Sequence, residues 1–220
     1  MCIRDRRYRL ERLLSSLVAL DAGVSAPHDP KAYGSAQEFN ADLTIIERSL
    51  RDNGDEEIAD ADLRDLIRLV DSFGFHLMRL DVRQESTRHT EAVAELFKVG
   101  LGLDYQKMSE VERLTCLKEA LILPAGLPFE ESLLTHPTRE VLNVFGVFAE
   151  MRTKIGSHCF GQYVISMTHQ ASHILEVLLL AKQRGLLGHV AGHWFCNLEV
   201  STLFETIDDL NRIEEVLDSL

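Results

Sequence analysis

Two short polar signatures hold the residues of this chain best suited to chemistry, Leu80 to Ser86 (LDVRQES) and Leu203 to Leu210 (LFETIDDL). In the first, Arg83 carries a planar guanidinium that stays charged and can grip a phosphate or carboxylate with paired hydrogen bonds. In the second, Glu205 is a lone carboxylate at the end of an apolar run. Such a group suits magnesium or manganese, which prefer hard oxygen ligands and often take only one or two from protein, with water and substrate supplying the rest.

The elements that must position these charges are strand-like. Phe73 to Arg83 (FGFHLMRLDVR) read with period two places His76, Met78, Leu80 and Val82 on one face and Phe75, Leu77, Arg79, Asp81 and Arg83 on the other. Hairpin turn residues are missing after it, and Ser86 is a good N-cap for the helix that follows, so the run reads as a β/α unit. In β/α barrels the loops after the strands carry the chemistry, which is where Arg83 falls. Leu198 to Thr206 (LEVSTLFET) repeats the pattern, with Leu198, Val200, Thr202 and Phe204 on one face and Glu199, Ser201, Leu203 and Glu205 on the other. Between them Tyr163 to His169 (YVISMTH) makes a third short strand, with Ser166 and Thr168 sharing a face with Val164.

The ordered series FGFHLMRLDVRQESTRHTEAV, YVISMTHQASHILEVLLLA and LFETIDDL closely resembles phosphoenolpyruvate carboxylase of bacterial type, from about Tyr8 to Leu220. LDVRQES and LFET are the most specific words, because unrelated barrels can imitate either one but hardly both. The resemblance implies addition of bicarbonate to phosphoenolpyruvate with Mg2+ or Mn2+, releasing oxaloacetate and phosphate through a carboxyphosphate intermediate and a metal-held enolate. It places Arg83 at the arginine of the family's RQ(E/N)S motif, in the substrate pocket as a catalytic and phosphate-binding group. It places Glu205 at the metal-binding glutamate. Both roles stabilise charge that grows in the transition state. The resemblance also implies a cytoplasmic, allosteric homotetramer.

Family members are several times longer, so the expectation is an internal fragment. Their catalytic histidine lies in an upstream TAHPTE-like motif, and a second metal-ligand aspartate, a lysine and a glycine-rich loop lie downstream of LFET. Leu134 to Glu140 (LTHPTRE) imitates the histidine motif but falls between the first and second strands. It reads instead as a loop and then a helix from near Thr138, with Val141, Leu142, Phe145 and Phe148 facing a core. His173 stands where many family members carry aspartate, which implies a different local polar network.

The histidines leave a rival reading open. His169 with His173, and His189 with His193 and Cys196, have ligand-like spacing, and a zinc-dependent hydrolase built on them is one alternative. Gly188 and Gly192 bracket the second pair, and Trp194 and Phe195 follow, which favours a loop entering a buried strand. The acidic run Asp52 to Asp62 lacks the spacing and glutamate of a calcium loop and reads as a solvated helix connection. A second rival is a non-catalytic helical interaction module.

Twenty-three basic against thirty-five acidic side chains give a formal charge of -12, which removes any counterion-release drive toward nucleic acid. No apolar run reaches membrane-spanning length. The four cysteines, Cys2, Cys116, Cys159 and Cys196, show no CxxC pairing, which favours free thiols in a cytoplasm. Residues 1–6 (MCIRDR) read as a non-native leader and 7–220 as a partial catalytic domain.

Amphipathic stripes predict helices over Ala36 to Asp52, Asp60 to Ser72, Ser86 to Val99, Ser172 to Arg184 and Ile207 to Leu217. Ser109 with Glu112 forms a capping box for another, ending near Leu121. The expected fold is therefore α/β and strongly α-rich, a partial TIM-like β/α barrel with about three parallel strands and surrounding helices. Such a piece presents unpaired strand edges, so by itself it is expected to be unstable or to associate, and to be inactive.

Overall fold

The computed structural model describes residues 3–24 and 29–220. Cys2 lies outside the described residues, while Cys116, Cys159 and Cys196 are free thiols. The chain divides into two compact units, Met1–Arg79 with Thr153–Cys159, and Leu80–Arg152 with Phe160–Leu220.

The first unit is helical. It holds α1 (Ile3–Asp21), α2 (Ala36–Asp52), a short α3 (Glu56–Ile58) that passes through a π-helical stretch Ala59–Leu63, and α4 (Arg64–Phe73). Ser35 caps α2 by accepting a hydrogen bond from the Glu38 amide, satisfying one of the donors a helix start leaves open. Tyr33, Phe39, Leu43 and Val70 form the buried centre, with Leu10, Leu13, Ile46, Leu63 and Ile67 packed around it. The stripe expected for the α4 region therefore does its packing, except that Leu66 is turned outward. Arg6, inside the proposed leader, belongs to α1, is buried, and lies 3.4 Å from an Asp42 carboxylate oxygen that also accepts the Tyr33 hydroxyl. Arg6 thus takes part in the packing of this unit.

The second unit is mixed α/β and helix-rich. Its elements are β1 (Leu80–Glu85), α5 (Ser86–Leu101), α6 (Glu110–Ile122), α7 (His136–Lys154), β2 (Phe160–Ser166), α8 (Ser172–Gln183), β3 (Leu187–Val190), β4 (His193–Cys196), β5 (Glu199–Thr202) and α9 (Ile207–Asp218). The unit takes α7 as far as Arg152. β1, β2 and β5 form one parallel sheet in that order, with Arg83 opposite Val164 and Val164 opposite Ser201. Parallel neighbours need long crossovers, and α5 to α7 and α8 supply them. The core is continuous: Val93, Leu96 and Phe97 of α5, Leu117 of α6, Val177 and Leu180 of α8, and Tyr163 and Ile165 of β2. The four positions expected to face inward on α7, Val141, Leu142, Phe145 and Phe148, are all buried. Ser109 and Glu112 make the expected capping box on α6.

Three expected strands are shorter or displaced. α4 runs on through Phe73, Gly74 closes it at φ +53, and Leu77 adopts φ +51, so extended pairing starts only at Leu80. β2 begins at Phe160 and stops at Ser166, because Met167 turns to φ +55, a conformation no strand admits. β5 ends at Thr202, and Thr206 instead caps α9.

The segment around His189 and His193 is not a loop leading into a buried strand but an exposed antiparallel hairpin, β3 with β4. Ala191 and Gly192 turn it, both at positive φ, the two-residue geometry whose twist matches the flanking strands. Gly188 faces Phe195 across the pair, and a Cβ there would come within 2.7 Å of the Phe195 ring. Glycine is therefore required by an aromatic neighbour and does not mark a break in the strand. Among the described residues no helix is long and apolar enough to cross a membrane.

Candidate active site

Parallel strands point all their C-terminal ends the same way, so charges that end β1 and follow β5 meet at one rim of the sheet. Arg83 Nη2 donates to Glu205 Oε1 at 2.7 Å, joining residues 122 apart in sequence. The two side chains chosen from the sequence are thus in direct contact. The pair is open to solvent on the arginine side, where the side chain is 60% exposed, against 29% for Glu205. A half-exposed pair of this kind contributes little to stability, about 0.2–1 kcal/mol, so its charges remain available to a ligand.

The loop after β2 completes the arrangement. The Met167 amide donates to the second carboxylate oxygen, Glu205 Oε2, at 2.8 Å. Met167 is held in its left-handed backbone from both sides: its carbonyl accepts the Ser86 hydroxyl at 2.7 Å, and the next amide, Thr168, donates to the Leu203 carbonyl at 3.1 Å. Leu203 in turn donates to the Ile165 carbonyl at 2.9 Å. Ser86, read from sequence as an N-cap, thus bonds across to the β2 loop, while Glu85 occupies the cap position without a side-chain bond.

A second pair lies next to the first along the chain. His169 Nδ1 and Asp209 Oδ1 are 2.6 Å apart. The other Asp209 oxygen accepts the Thr206 amide, and Thr206 Oγ1 accepts the Asp209 amide, a reciprocal cap that starts α9. The His169 hydrogen bond, chiefly, and the Thr206 bonds hold the Asp209 carboxyl below its ordinary range. His173 Nδ1 accepts the His169 amide at 3.3 Å, and burial pushes its imidazole down to about 4, so it serves as a neutral acceptor. That is the local network in which this histidine stands. The start of α8 is held instead by Glu110, whose carboxylate accepts both the Ser172 amide and its hydroxyl.

The other histidine readings gain no support from position. His136 is 75% exposed in the first turn of α7, near Glu140, and takes no part in the Arg83 and Glu205 cluster. His189 and His193 sit on the exposed hairpin, with His189 against the Trp194 ring at 5.3 Å. Among the described residues no three His, Cys, Asp or Glu side chains converge as a metal site.

For a divalent ion such as magnesium, Glu205 fits as one ligand. It is a hard oxygen donor, one of its oxygens is fixed by an amide, and the other faces the exposed guanidinium. The described residues form no cluster of three such ligands, and a divalent ion of this kind commonly completes its shell with water and substrate.

The whole chain, residues 1–220, matches the family model described as phosphoenolpyruvate carboxylase. The chain belongs to the phosphoenolpyruvate carboxylase family. It is 40% identical over 189 residues to a phosphoenolpyruvate carboxylase of Prochlorococcus marinus, covering 86% of this chain and 19% of the relative. It is 37% identical over 216 residues to the enzyme of that name in Ralstonia nicotianae, covering 96% and 22%. The corresponding enzyme of Rhodothermus marinus is 36% identical over 224 residues, covering 96% and 24%. The chain therefore spans about a fifth of the length of the curated carboxylases it matches.

Sequence reasoning found both charges of the phosphoenolpyruvate carboxylase segment but not the groups that hold them. The Met167 amide carries no side-chain signal. The run YVISMTH was read as strand through His169, and the turn at Met167 that aims this amide is visible only in the structure. Asp209 is visible within LFETIDDL, yet nothing in spacing pairs it with His169, 40 residues earlier.

Proposed function

We propose that this segment belongs to the catalytic domain of an enzyme that carboxylates phosphoenolpyruvate with bicarbonate, giving oxaloacetate and phosphate. The observation that carries the reading is the contact between Arg83 and Glu205 at the C-terminal rim of the parallel sheet. Membership of the phosphoenolpyruvate carboxylase family supports it.

In this reading β1, β2 and β5 are part of a larger β/α barrel. Arg83 binds the phosphate, or the carboxyphosphate formed from it, through a guanidinium that cannot lose its charge. Glu205 is a ligand of Mg2+ or Mn2+. When bound, that ion supplies Lewis-acid stabilisation of negative charge on the substrate oxygen. Ser86 and the Met167 amide fix the carboxylate, and the His169 and Asp209 pair ties the β2 loop to the start of α9. The parent protein is a cytoplasmic homotetramer, and the segment alone does not turn over.

Arg83→Gln in the full-length protein tests the reading by its rate of oxaloacetate formation. The expected outcome is a loss of kcat of roughly a hundred- to a thousandfold, the usual effect of removing one preorganised charge-stabilising group. A loss below threefold would place Arg83 outside the site.

A further inference from the structure

The two oxygens of Glu205 are held differently. Oε2 accepts from a backbone amide whose position is set by the Ser86 hydroxyl and the left-handed turn at Met167. Oε1 accepts from Arg83 Nη2, at the end of a flexible and largely exposed side chain. The carboxylate is therefore fixed at one oxygen and exchangeably covered at the other. A hard divalent cation approaching Glu205 meets that guanidinium on Oε1, and cation and guanidinium repel each other.

We propose that Arg83 and the divalent metal are alternative partners of Glu205 Oε1, so that metal loading releases Arg83 to the phosphate of the substrate. The inference rests on the carboxylase reading above and deepens it. Before loading, the pair is internally neutral, and Nη2 of the guanidinium is engaged by the carboxylate in competition with a phosphate. Binding of the metal at Oε1 displaces the guanidinium, which then stands beside the metal as an unpaired charge at the same rim. The arrangement couples the two ligands: metal raises affinity for phosphate through Arg83, and phosphate raises affinity for metal by the same factor, because coupling between binding sites is reciprocal. The coupling through Arg83 is limited by the strength of the pair it breaks. A half-exposed ion pair sets that at about 1.4- to fivefold.

The test is a double-mutant cycle in the full-length protein with Arg83→Gln, Glu205→Gln and both together. With metal removed by a chelator, inorganic phosphate binding is measured by calorimetry. Glu205→Gln is expected to bind phosphate about 1.4- to fivefold more tightly than the wild type, because Arg83 has lost its ionic partner. In the Arg83→Gln background the same substitution is expected to change nothing. A gain of equal size in both backgrounds would mean that Glu205 merely repels the anion, and would overturn the proposal, as would no gain in either. Mn2+ titration followed by electron paramagnetic resonance gives the mirror result, with Arg83→Gln binding the ion more tightly than wild type in the absence of phosphate.

A measurement that needs no variant stands beside these. A crystal structure of the wild type with Mn2+ and no anion is expected to show Arg83 out of hydrogen-bond reach of Oε1. Persistence of the contact with the ion bound to Glu205 would sink the exchange. A wild type that binds neither Mn2+ nor phosphate would remove the carboxylase reading itself, whereas one that binds both without coupling through Arg83 removes only this inference.

Discussion

Glu176 lies fully buried in α8, where its carboxyl accepts the Thr90 hydroxyl at 2.7 Å and the Tyr105 hydroxyl at 2.8 Å. Burial pushes this carboxyl up to about 7 from an ordinary value of 4.5, against the two hydroxyl bonds that favour the charged form. The folded protein therefore keeps a proton that the unfolded chain has released, and between those two pH values it binds more protons than the unfolded state. The Glu176 contribution to stability is complete below about 4.5 and is lost as pH rises to about 7, a change on the order of 3 kcal/mol. Glu176→Gln keeps an amide for both hydroxyls and cannot ionise. Urea unfolding between pH 4.5 and 7.5 is expected to show a falling stability for the wild type relative to this variant, and parallel curves would refute the assignment. Arg83 and Glu205 were legible from the sequence because charge at the end of an apolar run is a local pattern. The buried Glu176 was not, since LEVLLLA gives no sign of which face meets Thr90 and Tyr105.

Elements with a strong local code formed where the sequence placed them. α2 and α6 carry their own capping residues, and the inward stripe of α7 is set by 3.6-residue periodicity. On α6 the Ser109 hydroxyl accepts the Glu112 amide, and the Glu112 carboxylate accepts the Ser109 amide at 2.7 Å. Ser109→Ala is expected to lower stability by about 1 kcal/mol, read from the shift in denaturant midpoint at unchanged slope. An unchanged midpoint would show the cap to be idle. Strand ends were less legible, because they depend on single backbone conformations. Leu77, Met167 and Ala191 all take positive φ without being glycine, and each ends or turns an element that apolar alternation alone would have continued. The β3 and β4 hairpin was missed for the same reason, Ala191 being no turn signal by type.

At the scale of the whole molecule, α9 buries Asp209 and Val216 but leaves Ile207 78%, Leu210 57% and Leu217 50% exposed. Apolar side chains recurring along an exposed helix face in this way associate in water. The three-stranded parallel sheet adds outer strands, β1 and β5, that each pair on one side only among the described residues. The 220-residue chain expressed alone is therefore expected to self-associate in size-exclusion chromatography with light scattering and to form no oxaloacetate above a blank. A monodisperse monomer would count against the first expectation and measurable turnover against the second. The sequence by itself determined the family, the helical periodicities and the two charges that could do chemistry, because these are written in residue types at short range. Only the tertiary structure decided that Arg83 meets Glu205, that the Met167 amide fixes the carboxylate and that His169 finds Asp209. Those contacts join residues tens to more than a hundred positions apart, and parallel pairing of β1, β2 and β5 is what brings their ends to one rim.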